Sequence, residues 1–295
     1  MPEPTRPVVT QEMIRLYDEY THLTLDRRGF LDKLTRLVGS SAAAAAIVPM
    51  LSASKAQAAI IAADDARISA EKVGFPGPGG ITISGYLARP ANAGGKLPAV
   101  LVIHENRGLN PHLEDVARRF AADGFIALAV DLLSRSGGTP TDEDVARQKI
   151  GELDPALTIA DAVAALEYLK TAPGSNGRVG AVGFCWGGGL VNRLAVATPD
   201  LVAGVAYYGM QVPAADVPKI KAKLMLHYAG LDDRINAGIP AYEAALKSTG
   251  VDYQIFVYDG VNHAFNNDTS TARYDAAAAK LAWSRTIDFL KQNLS

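Results

Sequence analysis

The sequence predicts an α/β fold in which a mostly parallel central sheet carries helices on both faces. From about residue 70 onward, short apolar runs alternate with longer helical patterns, which is typical of consecutive βαβ units. Several of these runs are apolar throughout, as expected of parallel strands buried on both faces. The chain has 295 residues, of which 48% are hydrophobic, so it can bury the core of one large domain.

The individual elements can be assigned in order along the chain. Residues 81–88 alternate apolar and polar side chains, which is typical of a strand with one exposed face. Continuous apolar runs predict further strands at residues 98–104, 125–130, 178–184, 202–208, 223–228 and 253–258. Helical patterns predict helices at residues 112–123, 141–151, 155–171, 189–197, 238–249 and 272–293.

Residues 1–58 differ from the rest of the chain. The pair Arg27-Arg28 is followed by a short apolar stretch at residues 37–51 and by an A-x-A sequence at residues 56–58. These features are typical of a twin-arginine export leader, which predicts a periplasmic or secreted protein with its folded domain at residues 59–295. The alternative is a cytoplasmic protein with an uncleaved N-terminal extension. The apolar stretch is too short and interrupted for stable membrane insertion.

Composition excludes several classes of function. The formal net charge of −2 gives no basic surface for nucleic acid or an anionic membrane. A single cysteine excludes an internal disulfide and any multi-cysteine metal site within one chain. We expect no metal and no cofactor, and a small molecule as the binding partner.

The single cysteine, Cys185, lies in the sequence GFCWGG at residues 183–188, between a predicted strand and a predicted helix. This matches the G-x-S-x-G nucleophile elbow, with sulfur replacing oxygen at the reactive position. Glycines are needed there because the chain folds back tightly, and the helix start favours a thiolate and a developing oxyanion. The alternative, a buried structural cysteine, does not explain the glycines.

A thiol nucleophile needs a base, and the base needs a group that orients it. Of the two histidines that follow Cys185, His227 lies inside an apolar run and is interpreted as a core residue. His263 lies in a polar loop after the last predicted strand, where parallel sheets carry their chemistry, so it is the predicted base. Asp232, in the loop after the preceding strand, is the predicted acid, and Asp233 is the alternative.

An oxyanion hole needs two backbone N–H groups. One is predicted at Trp186, directly after the nucleophile, and the other at Asn106, in the loop after the strand at residues 98–104. Glu105 lies in the same loop, where a carboxylate after a buried strand is costly unless it is paired or functional. It is therefore either a functional group or the partner of Arg107 or another cation.

These residues resemble those of the dienelactone hydrolase family, also called carboxymethylenebutenolidases. The resemblance covers about residues 70–295 and rests on the elbow and on the segment around His263. It implies an α/β-hydrolase fold, with Cys185 as nucleophile, Asp232 as acid and His263 as base.

The resemblance also implies roles for two further residues. Glu105 matches a glutamate that holds the thiol in a resting pair until substrate binds, and Arg135 matches an arginine that grips a substrate carboxylate. Asn267 stands where the family enzyme that acts on dienelactone has a second arginine, four residues after the histidine. An amide cannot replace a bidentate charged donor, which argues against dienelactone itself as the substrate.

The order Cys, Asp, His along the chain predicts a hydrolase that cleaves a small ester or lactone. The alternatives are a peptidase or acyltransferase on the same scaffold, and a non-catalytic binding protein that keeps the fold. The intact set of site residues favours an enzyme.

Overall fold

The computed structural model describes residues 8–22, 24–52 and 59–295. Its centre is an eight-stranded sheet with the order β1-β2-β4-β3-β5-β6-β7-β8, in which β2 is antiparallel to both of its neighbours and the other pairings are parallel. The strands are β1 (Ile68–Pro76), β2 (Thr82–Pro90), β3 (Leu97–Ile103), β4 (Ile126–Asp131), β5 (Ser175–Phe184), β6 (Leu201–Tyr207), β7 (Lys223–Ala229) and β8 (Tyr253–Tyr258).

The helices precede, connect and follow these strands. They are α1 (Gln11–Thr21), α2 (Arg27–Val38), α3 (Ser41–Leu51), α4 (Pro111–Ala122), α5 (Glu143–Gly151), α6 (Pro155–Thr171), α7 (Trp186–Ala197), α8 (Asp233–Asn236), α9 (Ile239–Thr249) and α10 (Ala276–Leu294). The predicted α/β class and the mostly parallel sheet are therefore confirmed.

Each face of the sheet is covered by its own apolar cluster. On one face α4 and α10 contribute side chains such as Phe120 and Leu290, and on the other α6, α7 and α9 contribute side chains such as Leu166 and Leu194. The strand β3 contributes to both clusters, with Val100 and Val102 facing one and Leu101 facing the other. A strand with both faces buried must be apolar throughout, which explains the continuous runs in the sequence.

Two differences from the predicted elements have a local cause. The edge strand β1 was not predicted, because only Ile68 and Phe75 of its residues are buried and the segment carries no clear apolar pattern. The helix after the elbow begins at Trp186, three residues earlier than predicted. Its first turn is rich in glycine, which has a low helix propensity and hides the start of the helix.

The N-terminal segment, residues 8–22 and 24–52, contains three helices with a small apolar cluster of their own, centred on Phe30 and Leu34. No single helix in residues 8–22, 24–52 or 59–295 is long and apolar enough to cross a membrane, although α2 and α3 meet that test as a bent pair. The A-x-A sequence at residues 56–58 lies outside the described residues. Export and cleavage remain predictions.

Polar contacts attach α1 to the sheet domain at the end where the parallel strands finish. Arg273 pairs with Asp18, with 3.1 Å between Nη1 and Oδ1, and its guanidinium lies over the ring of Tyr17. Arg147 donates to the carbonyl of Tyr20 and lies over the ring of the same residue. The C-terminal end of α1 is therefore fixed beside the loops that carry the predicted site.

Candidate active site

Cys185 lies at the sharp turn between β5 and α7 with a positive φ of 56° and a ψ of −117°. This conformation costs a non-glycine residue about 1–3 kcal/mol and is typical of functional positions. The Cys185 N–H donates to the carbonyl of Tyr207 on β6, which anchors the turn to the neighbouring strand. A Cβ at Gly183 would collide with the carbonyl of Gly187, so the fold-back requires the glycine that the sequence motif contains.

His263 and Asp232 meet in the loops that follow β8 and β7. His263 Nδ1 lies 2.5 Å from Asp232 Oδ2, and both residues are buried. Asp233, the alternative acid, is exposed and makes no such contact. The structure therefore brings Asp232, and not its neighbour, to the predicted base.

The electrostatic balance at His263 favours its charged form. Burial lowers the pKa of His263, but the negative charges of the Cys185 thiolate and the Asp232 carboxylate outweigh this and raise it to about 10. Burial opposes ionisation of Asp232 as well, yet His263 holds the pKa of this carboxyl below its usual value. His263 Nε2 is buried and has no hydrogen-bond partner among the described residues, so it is free to act on a bound molecule.

His22, at the C-terminal end of α1, is a site residue that the sequence did not predict. Its Nε2 lies 3.4 Å from Cys185 Sγ, and its ring packs edge-on against the ring of His263. Burial lowers the pKa of His22 well below its usual value, and the nearby positive charge of His263 lowers it further. The apolar spacing of α1 could have predicted a helix, but nothing in the sequence shows where that helix docks.

Trp186 and Asn106, the two residues predicted to supply oxyanion donors, both line the cavity beside Cys185. Trp186 is the first residue of α7, where a backbone N–H has no partner within the helix. Asn106 follows β3, and its side-chain amide donates to the carbonyl of Thr21 at 2.5 Å. Asn106 therefore also holds the end of α1 in place.

Glu105 is paired differently from either expectation. Its Oε2 accepts a hydrogen bond of 2.9 Å from Asn267, and its Oε1 is buried without a partner among the described residues. Arg107 pairs instead with Glu143, at 3.0 Å. In this structure the hydrogen-bond partner of Cys185 Sγ is His22, so Glu105 does not form the resting pair that the resemblance implied.

Comparison with known proteins identifies the family of this arrangement. The model of the dienelactone hydrolase family matches residues 83–294, which include the elbow, Asp232 and His263. The chain belongs to the dienelactone hydrolase family. Its relatives and structural neighbours support the same assignment.

A Methylorubrum extorquens protein named "Putative carboxymethylenebutenolidase" is 33% identical over 247 residues, which is 79% of this chain and 84% of the relative. An Escherichia coli protein of the same name is 30% identical over 255 residues, covering 81% and 93% of the two chains. The solved structure of a Klebsiella pneumoniae protein described as "Putative Dienelactone Hydrolase" superimposes with a TM-score of 0.70 and 29% identity, covering 76% of this chain and 99% of that one.

This dienelactone hydrolase family member does not bring Arg135 to the other site residues. The guanidinium is held by both carboxylate oxygens of Asp161 on α6, each at 2.7 Å, and by the carbonyl of Pro78. Arg135 does not line the cavity beside Cys185. A buried carboxylate on α6 binds Arg135 in this structure, and its role in substrate binding stays a prediction.

The cavity beside Cys185 has a volume of about 350 Å³ and carries other arginines. Arg193 on α7 and Arg234 on α8 line it, and neither has an ion pair or a hydrogen bond in the part of the chain that the structure describes. Burial lowers the pKa of Arg193. Trp186 and Met210 supply apolar lining beside them. The cavity has the volume of a small ligand and presents two guanidinium groups that form no ion pair with the described residues.

Proposed function

We propose that this member of the dienelactone hydrolase family cleaves a small ester or lactone, with Cys185 as nucleophile, His263 as base and Asp232 as the group that orients the base. The observation that carries the proposal is the position of His263 near the strained Cys185. Its Nδ1 is fixed by Asp232, and its buried Nε2 has no hydrogen-bond partner among the residues that the structure describes. A histidine held in this way can move a proton at one defined nitrogen.

In the first half of the reaction the Cys185 thiolate attacks the carbonyl carbon and a C–S bond forms. The oxyanion that develops is within the field of the Trp186 and Asn106 N–H groups. The C–O bond then breaks, and His263 gives its Nε2 proton to the departing alkoxide or enolate. The products of this half are an alcohol, or the freed enol end of an opened lactone, and an acyl group bound to sulfur as a thioester.

In the second half His263 removes a proton from water, and the resulting hydroxide attacks the thioester carbon. The C–S bond breaks, and the thiolate returns beside the protonated His263. Asp232 keeps its negative charge throughout and stabilises the imidazolium in the resting and acyl-transfer stages. Esters and lactones are favoured over amides because an oxygen leaving group departs more readily than an amine.

The cavity indicates what kind of acyl group fits. Its volume of about 350 Å³ suits a small substrate. The guanidinium groups of Arg193 and Arg234, which form no ion pair in the described part of the chain, favour one that carries a carboxylate. These arginines would perform the recognition that the family resemblance assigned to Arg135.

The decisive test is single turnover of chromogenic short esters and small lactones by the wild type and by Cys185→Ala. We expect a burst of released alcohol from the wild type and none from the variant. Equal activity of the two proteins would overturn the proposal. A product assay tests the two enzymatic alternatives. A peptidase should cleave an amide faster than it hydrolyses an ester, and an acyltransferase should transfer the acyl group to an added amine faster than to water.

The non-catalytic alternative is tested by alkylation of Cys185 with iodoacetamide at neutral pH. A thiolate beside a protonated histidine should react quickly, because the thiolate is the reactive form of cysteine. A thiol that stays unmodified under conditions that alkylate free cysteine would support a binding protein.

A further inference from the structure

Three side chains from two regions of the chain converge at one point in the site. His22 comes from the end of α1, Cys185 from the elbow and His263 from the loop after β8. One nitrogen of each ring and the cysteine sulfur all lie within 4.8 Å of one another. One thiolate and two imidazoles are a set of ligands that zinc commonly binds.

The spacing is close to that of a zinc site. In a tetrahedral site with Zn–S and Zn–N bonds of about 2.3 and 2.0–2.1 Å, the sulfur and a nitrogen ligand are about 3.5 Å apart. Cys185 Sγ and His22 Nε2 are 3.4 Å apart. Movements of less than about 1.5 Å would bring the third ligand atom, which lies within 4.8 Å of both, to the same spacing.

The orientation of the two rings points to a cation more directly than the distances do. His22 Nδ1 lies 2.7 Å from the carbonyl oxygen of Asp18, which can only accept, so this nitrogen carries the proton. In the neutral ring His22 Nε2 therefore presents a lone pair to Cys185 Sγ. A thiol at Cys185 donates its S–H to this lone pair, and when the thiol loses that proton a metal cation can take its place and bond to both atoms.

His263 is arranged in the same way. Its Nδ1 is held by Asp232, and the residue as a whole is only 3% exposed. Its Nε2 is directed into the site and has no hydrogen-bond partner in the described part of the chain. A ring whose second nitrogen is held by a carboxylate or a backbone carbonyl is the usual form of a metal-binding histidine. Both histidines have such a partner, one of each type.

We propose that His22, Cys185 and His263 bind a zinc ion, and that bound zinc reversibly inhibits the hydrolase. Binding replaces the proton on His263 Nε2, which goes to solvent, and zinc forms bonds to one sulfur and two nitrogens. The fourth position faces the cavity and takes a water molecule. The ion binds the nucleophile and the base at once and fixes α1 over the site, which prevents turnover. The inhibition therefore rests on the proposed function, whereas the binding of zinc does not.

The test uses Co²⁺ as a spectroscopic probe of the metal-free, full-length protein. A Co²⁺–thiolate bond gives a charge-transfer absorption band, and we expect this band together with the intense visible bands of a tetrahedral site. Removing a ligand in His22→Ala should weaken Co²⁺ affinity by at least 100-fold, beyond the roughly 10–100-fold typical of residues that only orient a ligand. Zn²⁺ should displace the cobalt and abolish the band.

Tyr20→Phe is the matched control on the same helix. It removes the hydroxyl that donates to Asp144 and leaves all three ligands in place, so its Co²⁺ affinity should equal that of the wild type. If Tyr20→Phe lost affinity as His22→Ala does, the effect would come from loosening of α1 and the assignment of His22 as a ligand would fail. A wild type without a charge-transfer band, or equal affinities for the wild type and His22→Ala, would also overturn the proposal.

Ester turnover separates the two proposals. If the metal-free protein turns over esters with its Cys185 and shows no cobalt band, the zinc site fails and the hydrolase stands. If cobalt binds but Cys185→Ala keeps its turnover, the proposed mechanism fails and with it the inhibition, while the metal site stands. If both stand, micromolar zinc should inhibit the wild type and a chelator should restore it, whereas His22→Ala should need a much higher zinc concentration.

Discussion

Two regions of the molecule each bring a histidine to Cys185, and they do so by different means. The sheet domain supplies His263, which is fixed by the Asp232 carboxylate. The N-terminal segment supplies His22, which is fixed by a backbone carbonyl at the end of a short helix. The negative charges of the Cys185 thiolate and the Asp232 carboxylate raise the pKa of His263, whereas burial and the positive charge of His263 lower the pKa of His22. The comparison teaches that proximity to the nucleophile does not make a histidine a base.

The largest expected effect separates the two histidines directly. His263→Ala should lower turnover by about 10²–10⁴-fold, the usual contribution of a general acid–base group. His22→Ala, assayed without metal, should lower it by less than about tenfold, because a neutral ring with its proton on Nδ1 has none to give at Nε2. Single-turnover kinetics with the same ester measure both, and a larger loss from His22→Ala would reverse the assignment.

The next effect tests the carboxylate that distinguishes the two rings. Asp232→Asn should remove most of the activity, since it takes away one of the two negative charges, those of the Cys185 thiolate and the Asp232 carboxylate, that raise the pKa of His263 to about 10. The pKa of His263 should therefore fall, so that the ring loses its proton at a lower pH than in the wild type. Alkylation of Cys185 above neutral pH should then be slower, because a neutral His263 no longer stabilises the thiolate. Asp233→Asn, an exposed neighbour, is the matched control and should behave as the wild type.

A smaller effect concerns how the N-terminal segment is attached. Arg147→Met removes the donor to the Tyr20 carbonyl and the cation over the Tyr20 ring, a loss of about 1–3 kcal/mol for a buried charged hydrogen bond. Hydrogen exchange should increase in α1 and stay unchanged in the strands of the sheet. Increased exchange throughout the sheet would show that the two regions unfold together and are not separable.

The smallest effect tests which arginine of the sheet domain meets the substrate. Arg193→Met should raise KM by about tenfold for an ester that carries a carboxylate and leave neutral esters unaffected, because one charged contact is worth about 1.4 kcal/mol or slightly more. Arg135→Met is the control, since Asp161 already holds that side chain. A selective effect of Arg135→Met would restore the role that the family resemblance gave it.

Much of the fold follows from patterns that local physics imposes. The buried strands β3 to β7 are readable because both of their faces need apolar side chains, and the elbow is readable because its turn excludes a Cβ at Gly183. The edge strand β1 was missed because an exposed strand has no such requirement. The contact of Arg135 with Asp161 could not be predicted, since the two residues lie 26 positions apart on different elements.

The sequence by itself determined the α/β class, the strained cysteine at the elbow and the order of the residues that follow it, because each depends on short-range backbone geometry or on burial within one element. The tertiary structure alone decided that Asp232 rather than Asp233 meets His263, that Glu105 binds Asn267, and that His22 reaches Cys185 from 163 residues away. These contacts depend on how separate loops and helices pack at one edge of the sheet. No local pattern carries that information, because each contact is fixed by partners that are distant in the chain.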